Sequence, residues 1–111
     1  MRLPNPEQAV VDIAKLRDYC LNTTHWRGQH KARVFVSALG LTAEYADVLR
    51  EALLFAAKSN EVIMGEIDKF GQRYLLDFEM TGLTGQRAMI RSAWIVRNGE
   101  DFPRLTTCYV L

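Results

Sequence analysis

The sequence predicts an α+β domain in which three N-terminal helices pack on one face of a four-stranded antiparallel meander sheet. The first observation is a change in hydrophobic periodicity, which is helical up to about Lys58 and strand-like after Glu61. The second is that the predicted strands are joined by short connections, which favour antiparallel neighbours. A length of 111 residues suits one core, so we expect a single domain over residues 1–111.

The first helix is predicted over residues 13–21. Asp12 precedes it as an N-cap, and Val11 and Leu16 are spaced to form a hydrophobic staple across the first turn. A polar loop over residues 22–29 follows and holds one large aromatic residue, Trp26.

The second helix is predicted to start near His30 and to end before Gly40, a residue typical of the position after a helix. Its buried stripe is predicted to contain Lys31, Phe35 and Leu39. Thr42 is the predicted N-cap of the third helix, which ends near residues 58–60. The seam of that helix consists of Tyr45, Leu49, Ala52, Leu53 and Ala56.

Four strands are predicted over residues 62–68, 72–80, 86–97 and 104–110. Large apolar residues such as Phe78 and Trp94 alternate onto one face, which the helices must cover. The uncovered face is predicted to carry basic residues with acidic neighbours: Arg73, Asp77, Glu79, Arg87, Arg91 and Arg97. The alternation leaves open which face of the last strand is buried.

Composition narrows the class of protein. The chain is 49% hydrophobic and 24% charged, so disorder is not expected. No apolar run approaches the roughly 18–20 residues of a membrane span, and residues 1–6 are too polar for a signal-peptide core. Two cysteines do not make a disulfide framework, so the sequence predicts a reduced, cytoplasmic protein. A net charge of +1 argues against a general nucleic-acid coat but permits a small basic site.

The stretch over residues 24–33 is the main candidate for chemistry. It places two histidines and three cations at the entrance of the second helix: His25, Arg27, His30, Lys31 and Arg33. Histidine can transfer protons near neutral pH, and fixed cations can stabilise a phosphate in the transition state. These groups suit metal-independent RNA cleavage. The plainer interpretation is a solvated helix face, with Trp26 capping the core.

Of the two histidines, His25 is preferred as the catalytic group because it lies in a loop, whereas His30 is expected to be an exposed first-turn residue. Lys31 lies one turn before Phe35, so its ammonium is expected to reach over the edge of the core toward the sheet.

The last strand supplies a second candidate, because Thr107 and Tyr109 share a strand face and can hydrogen-bond a phosphate or a base. High strand propensity explains the same residues without any function. A third candidate is the pair Arg91 and Glu79. The favoured interpretation is a cross-strand ion pair. In the alternative, Arg91 is a phosphate ligand and Glu79 is an acid/base. Arg73 lies on the same predicted face.

Other chemistries find no pattern in the sequence. Two histidines five residues apart and two remote cysteines do not form a structural zinc site. No phosphate-binding glycine loop, dinucleotide fingerprint or nucleophile elbow is present. We therefore expect neither a metal nor a cofactor.

Several segments together resemble a small bacterial family of unknown function. They are Leu3-Pro4-Asn5 through Lys15-Leu16, then His25-x-x-Gly28-x-x-Lys31-Ala32-Arg33-Val34-Phe35, Leu39-Gly40, Arg91-Ser92-Ala93-Trp94-Ile95-Val96 and Gly99-Glu100-Asp101-x-Pro103 through Tyr109. The resemblance covers nearly the whole chain and implies a fold boundary rather than a reaction.

The predicted order of helices and strands, with His and Lys near a helix and Thr and Tyr on the last strand, is also similar to the barnase–EndoU–colicin–RelE ribonuclease superfamily. That resemblance implies a toxin that cleaves tRNA or translating mRNA without a metal and is blocked by a small antitoxin protein. It implies that His25 is the acid/base, that Lys31 and Arg91 hold phosphate, and that Thr107 or Tyr109 orients the substrate.

A second hypothesis belongs to another class: a non-catalytic interaction module that binds or neutralises a partner protein. The near-zero net charge is low for an RNA enzyme, and the apolar helices could support a homodimer. In both hypotheses the protein has no membrane partner.

Overall fold

The computed structural model describes all 111 residues, Met1–Leu111. It confirms the predicted α+β class: three helices come first, four strands follow, and the sheet is a meander with strand order β1-β2-β3-β4. Every neighbouring pair of strands is antiparallel.

Helix α1 begins as an α-helical turn, Ile13–Lys15, and continues as a π-helical turn, Leu16–Cys20. The N-cap prediction is confirmed, because the Asp12 carboxylate accepts a hydrogen bond of 2.9 Å from the backbone N–H of Ala14. The π-turn is not visible in the sequence pattern, and it ends the helix one residue earlier than predicted.

Helix α2 spans Gln29–Leu39, and Gly40 follows it in the left-handed conformation with φ of 68°. Phe35 and Leu39 are buried as predicted, but Lys31 is exposed, so its place in the buried stripe was wrong. The reason is that Ala32, at 0% exposure, is the residue of the first turn that faces the core, while the Lys31 side chain extends to Tyr109 at the edge of the sheet.

Helix α3 spans Ala46–Ser59 after a 3-10 turn, Ala43–Tyr45. Thr42 precedes that turn but its side chain caps no backbone N–H, so the predicted N-cap was wrong. Its hydroxyl contacts the Glu44 carboxylate at 3.4 Å instead. The 3-10 turn also leaves Tyr45 exposed rather than in the helix seam.

The strands are β1, Ile63–Asp68; β2, Gly71–Thr81; β3, Arg87–Arg97; and β4, Arg104–Val110. The two central strands pair over their full length. β1 is exposed throughout and forms one edge of the sheet. β4 forms the other edge, and the N-terminal segment bonds its first residues through Val10.

The core lies between the helices and the inner face of the sheet. Trp94, on β3, is 1% exposed, and its indole N–H donates to the Ser92 hydroxyl at 2.8 Å. Ser92 in turn donates to the carbonyl of Leu76. This chain of bonds satisfies the polar groups that enter the core with the large aromatic ring.

The sequence predicted basic residues with acidic neighbours on the outer face of the sheet, and three of the four predicted arginines are paired with acids: Arg73 with Asp68, Arg87 with Glu79, and Arg91 with Asp77. The predicted pair of Arg91 with Glu79 was therefore wrong. The β2–β3 register places Asp77 opposite Arg91 and Met89 opposite Glu79. Arg97, the fourth, forms no ion pair.

The burial pattern of β4 shows which face of the last strand is buried, a question that the sequence left open. Leu105 and Cys108 are buried, whereas Thr107 and Tyr109 are half-buried. An irregularity in the β3–β4 pairing makes Thr106 an extra residue on β4, and its hydroxyl donates to the carbonyl of Ala93 at 3.0 Å. This bulge breaks the simple alternation.

None of the helices has both the length and the apolar character needed to cross a membrane.

Candidate functional site

A cleft of about 680 Å³ lies where α1, the loop before α2 and the edge of β4 meet. Its lining combines two lysines, two aspartates, two threonines, two aromatic rings and one alanine: Asp12, Ala14, Lys15, Asp18, Tyr19, His25, Lys31, Thr106 and Thr107. Three of the five predicted catalytic residues, His25, Lys31 and Thr107, therefore share one cleft although about 80 positions separate them.

His25 is held by the loop that leads into α2. Its Nδ1 accepts hydrogen bonds from the backbone N–H groups of Arg27, at 3.1 Å, and Gly28, at 3.2 Å. The nitrogen left for a ligand is Nε2. Because Nδ1 is an acceptor, the neutral ring carries its proton on Nε2 and presents a donor to the cleft.

Two aromatic rings lie beside this imidazole, Tyr19 in contact with it and Trp26 farther away. The Tyr19 ring meets His25 edge-on with centroids 4.8 Å apart. The Trp26 ring is nearly parallel to His25, at 11° and a centroid distance of 6.4 Å. Trp26 itself is 73% exposed, so the interpretation that it caps the core was wrong.

Lys31 extends from the first turn of α2 to the last strand, which confirms that its ammonium reaches toward the sheet. Its Nζ lies 4.3 Å from the centre of the Tyr109 ring. A cation over a ring face is stabilised by the ring's quadrupole, so this contact holds the ammonium at the edge of β4.

Arg91 on β3 lies directly opposite Tyr109 on β4. Its guanidinium forms two bonds of 2.9 Å to the Asp77 carboxylate. Asp77, with a smaller contribution from the Tyr109 hydroxyl, raises the pKa of Arg91. The same hydrogen bonds lower the pKa of Asp77. Arg91 is thus a permanent, fixed cation behind Tyr109.

Thr107 is tied to the core as well as to the cleft. The buried thiols of Cys20 and Cys108 lie beside each other, and both are free. Hydrogen bonding from Cys108, with a smaller contribution from the Thr107 hydroxyl, lowers the pKa of Cys20 to about 7. The same pairing raises the pKa of Cys108. These contacts join the end of α1 to β4 beneath the cleft.

The other charged and polar residues that the sequence singled out are candidates for binding substrate, and they do not all gather at this site. Arg27 lies beside it, with its guanidinium 4.5 Å from the centre of the Trp26 ring. His30 and Arg33 are exposed on α2, where Arg33 bonds Gln29 at 3.1 Å. Arg73 and Glu79 are engaged in their ion pairs on the outer face and do not line the cleft.

Sequence reasoning missed Lys15 and Tyr19. Both lie on α1 and line the cleft. Tyr19 lies in the π-helical turn, and no spacing in the sequence marks such a turn, whereas Lys15 ends the α-helical turn before it. Asp12 and Asp18 also line the cleft. Both carboxylates already have partners, because Asp12 accepts from the backbone N–H of Ala14 and Asp18 accepts from Arg17 at 2.9 Å.

No three His, Cys, Asp or Glu side chains come together in an arrangement that would hold a metal ion. The polar character of the cleft comes from two lysines, two aspartates, hydroxyl groups and one imidazole.

All but the first residue of the chain matches one protein family. Residues 2–111 fit the family described as a domain of unknown function, DUF6883. The chain belongs to the DUF6883 family. This agrees with the resemblance seen in the sequence to a family of unknown function. No curated protein matches the DUF6883 chain.

A solved structure shares the fold. It is a chain of the contact-dependent growth inhibition toxin–immunity protein complex from Klebsiella pneumoniae 342, with a TM-score of 0.72 and 20% sequence identity. The match covers 92% of the DUF6883 chain and 99% of the other chain. At 20% identity, the similarity shows that the two proteins share a fold.

Proposed function

We propose that this chain is a metal-independent endoribonuclease of the toxin type, acting on tRNA or messenger RNA. The observation that carries the proposal is the meeting of His25, Lys31 and Thr107 in one cleft, with Tyr109 and Arg91 directly behind Lys31. The fold shared with one chain of a toxin–immunity complex supports a toxin-type or an immunity-type protein, since that complex consists of both.

The proposed reaction is internal transfer of an RNA phosphodiester. The 2′-oxygen bonds to phosphorus, the bond from phosphorus to the 5′-oxygen breaks, and the proton of the 2′-hydroxyl passes overall to the departing oxygen. Negative charge accumulates on the phosphate oxygens in between, so fixed donors and cations accelerate the step.

Lys31 is the proposed phosphate ligand. Its ammonium is held over the Tyr109 ring at the mouth of the cleft, and the Thr107 hydroxyl lines the same space. Arg91 is paired with Asp77 and lies behind Tyr109, so we assign it to orienting the tyrosine rather than to direct phosphate contact.

His25 acts in this proposal through Nε2. The two backbone bonds to Nδ1 favour the tautomer that donates, so the ring binds the phosphate or the departing oxygen. Service as the base for the 2′-hydroxyl would require a free lone pair on Nε2 and the loss of both backbone bonds.

The test is cleavage of total bacterial RNA by purified protein in EDTA, read on a sequencing gel. We expect discrete cleavage by the wild type and its loss in Lys31→Ala. Lys58→Ala is the matched control, because it removes the same charge from an exposed position outside the cleft. Equal cleavage by all three proteins, or none by folded wild type, contradicts the proposal.

A second candidate is a protein-binding module, such as the immunity partner of a toxin. The observation that favours it is the exposed edge strand β1, where Ile63 is 66% exposed and Ile67 76% exposed. An exposed apolar edge can accept a strand from another protein. This candidate is supported over the nuclease if the protein does not cleave RNA and forms a stable complex with a partner protein that Ile67→Lys disrupts.

A further inference from the structure

We propose that Trp26 is a stacking platform for a nucleobase of the RNA held in the cleft. This inference rests on the proposed nuclease function and adds a base-binding subsite to it. Its starting point is the exposure of the indole: the Trp26 ring is 73% exposed, so it is accessible to a ligand bound in the adjacent cleft.

The ring stands beside the cleft. His25 lines the cleft, and Trp26 is nearly parallel to His25 at 11°. Tyr19 makes an edge-on contact with His25. Two backbone hydrogen bonds anchor the His25 imidazole. The exposed Trp26 ring therefore lies next to a rigidly held group.

Arg27 supplies the charge that such a subsite needs. Its guanidinium lies 4.5 Å from the centre of the Trp26 ring. A guanidinium covers at most one face of an indole, and the ring remains 73% exposed with Arg27 in place. An exposed aromatic ring beside a cation suits single-stranded RNA, because a base stacks on the ring and the cation attracts the backbone, whereas an apolar protein segment gains nothing from the adjacent guanidinium.

The subsite would recognise a base through its π-face rather than through base edges. Stacking of this kind is tolerant of sequence, so it provides affinity and orientation for the nucleotide beside the phosphate at Lys31. Trp26 is therefore a binding residue in this inference, and the phosphate chemistry belongs to the cleft.

Tryptophan fluorescence provides the test, because the chain has two tryptophans and Trp94 is buried at 1% exposure. The probes are a fully 2′-O-methylated RNA octamer, which lacks the attacking hydroxyl, and the same backbone with abasic positions. We expect the base-containing octamer to quench the emission and the abasic one to leave it unchanged. The quenching should disappear in Trp26→Phe, which retains an aromatic ring.

Affinity and cleavage give a second readout. Trp26→Ala should weaken binding of the base-containing octamer by about tenfold. It should leave binding of the abasic octamer unchanged. Equal quenching by both octamers, or quenching by neither, overturns the inference. If RNA cleavage persists while Trp26→Ala binds and cleaves like wild type, the subsite is wrong and the nuclease function stands. If the wild type neither binds nor cleaves RNA, both fail.

Discussion

At the scale of single residues, His25 can act as a hydrogen-bond donor or as a group that transfers a proton, and the two backbone bonds to its Nδ1 favour the donor. Substitution by alanine removes both roles and does not distinguish them. Asn also presents an acceptor oxygen for backbone N–H groups and an N–H₂ donor, but it does not titrate. We expect His25→Asn to keep RNA cleavage within about tenfold of wild type, and His25→Ala to lose about a hundredfold or more. Initial rates on one RNA substrate measure both.

A pH profile of the same variants completes this test. If His25 transfers a proton, then His25→Asn falls to the level of His25→Ala, and the pH dependence of the wild-type rate is lost in His25→Asn. That outcome contradicts the role as a hydrogen-bond donor.

Asp77 provides a prediction about stability and pH. Hydrogen bonding to Arg91 lowers the pKa of Asp77 in the folded protein. The unfolded chain therefore takes up the proton first as the pH falls, and the stabilisation is present above about pH 4 and lost below it. We expect Asp77→Asn to lower the free energy of unfolding at pH 7 by about 1 kcal/mol or less. It should also flatten the loss of stability between about pH 4 and pH 2.

Urea denaturation across this pH range measures the effect. Asp101→Asn is the control, because its exposed carboxylate has no ion-pair partner. An identical pH dependence in Asp77→Asn and wild type would show that the Arg91 pair does not stabilise the fold.

The partner of Arg91 illustrates what a single sequence can predict at this scale. Alternation placed Arg91 on the correct face, because burying Trp94 and Ile90 determines the orientation of β3. It did not place Asp77 opposite, since register depends on the geometry of the turn between the strands. The same holds for Tyr19, whose position depends on a π-helical turn.

At the scale of elements, the cleft depends on how closely α1 approaches α2. Gly28 permits this approach: a Cβ there would lie 2.9 Å from the Tyr19 carbonyl oxygen and 3.4 Å from its ring. We expect Gly28→Ala to force the elements apart, lowering the free energy of unfolding by about 1–3 kcal/mol. RNA cleavage should fall by about tenfold or more because His25 and Tyr19 both move.

Gly40→Ala is the matched control for this prediction. Gly40 has φ of 68° and no atom within 4 Å of an added Cβ. Alanine there costs roughly 1 kcal/mol of stability through its backbone alone. If both variants lose stability equally and both retain cleavage, the α1–α2 approach does not shape the site.

The helices and strands themselves could be predicted because long periodic segments reflect burial directly. The limits came from local chemistry at their ends. Thr42 stands at a sequence position typical of an N-cap, yet a 3-10 turn follows it and leaves its hydroxyl with Glu44. In β4, the extra residue Thr106 interrupts the alternation from which buried faces are inferred.

At the scale of the whole molecule, charge predicts how RNA affinity depends on salt. The net charge is +1, and most cations of the outer face are paired with acids. Few phosphates can therefore be neutralised, with Lys31, Lys15 and Arg27 as the nearest candidates. With about two or three contacts, the slope of log K against log salt should be roughly −1.4 to −2 for single-stranded RNA.

Binding of the 2′-O-methylated octamer between low and moderate salt measures this slope. Lys31→Ala should make it shallower by about 0.7, whereas Lys58→Ala should leave it unchanged. A slope steeper than about −4 would show that the protein uses a broad cationic surface rather than this cleft.

The connectivity of the cleft has a consequence for the timing of activity during synthesis. One wall is made of residues 12–31 and the other of residues 106 and 107, with Tyr109 behind them. A ribosome releases the first wall long before the second, and β4 cannot pair with β3 until it has emerged. The site therefore assembles only after nearly the whole domain has been translated, and under the proposed nuclease function an unfinished nascent chain has no cleft with which to cleave the RNA around it.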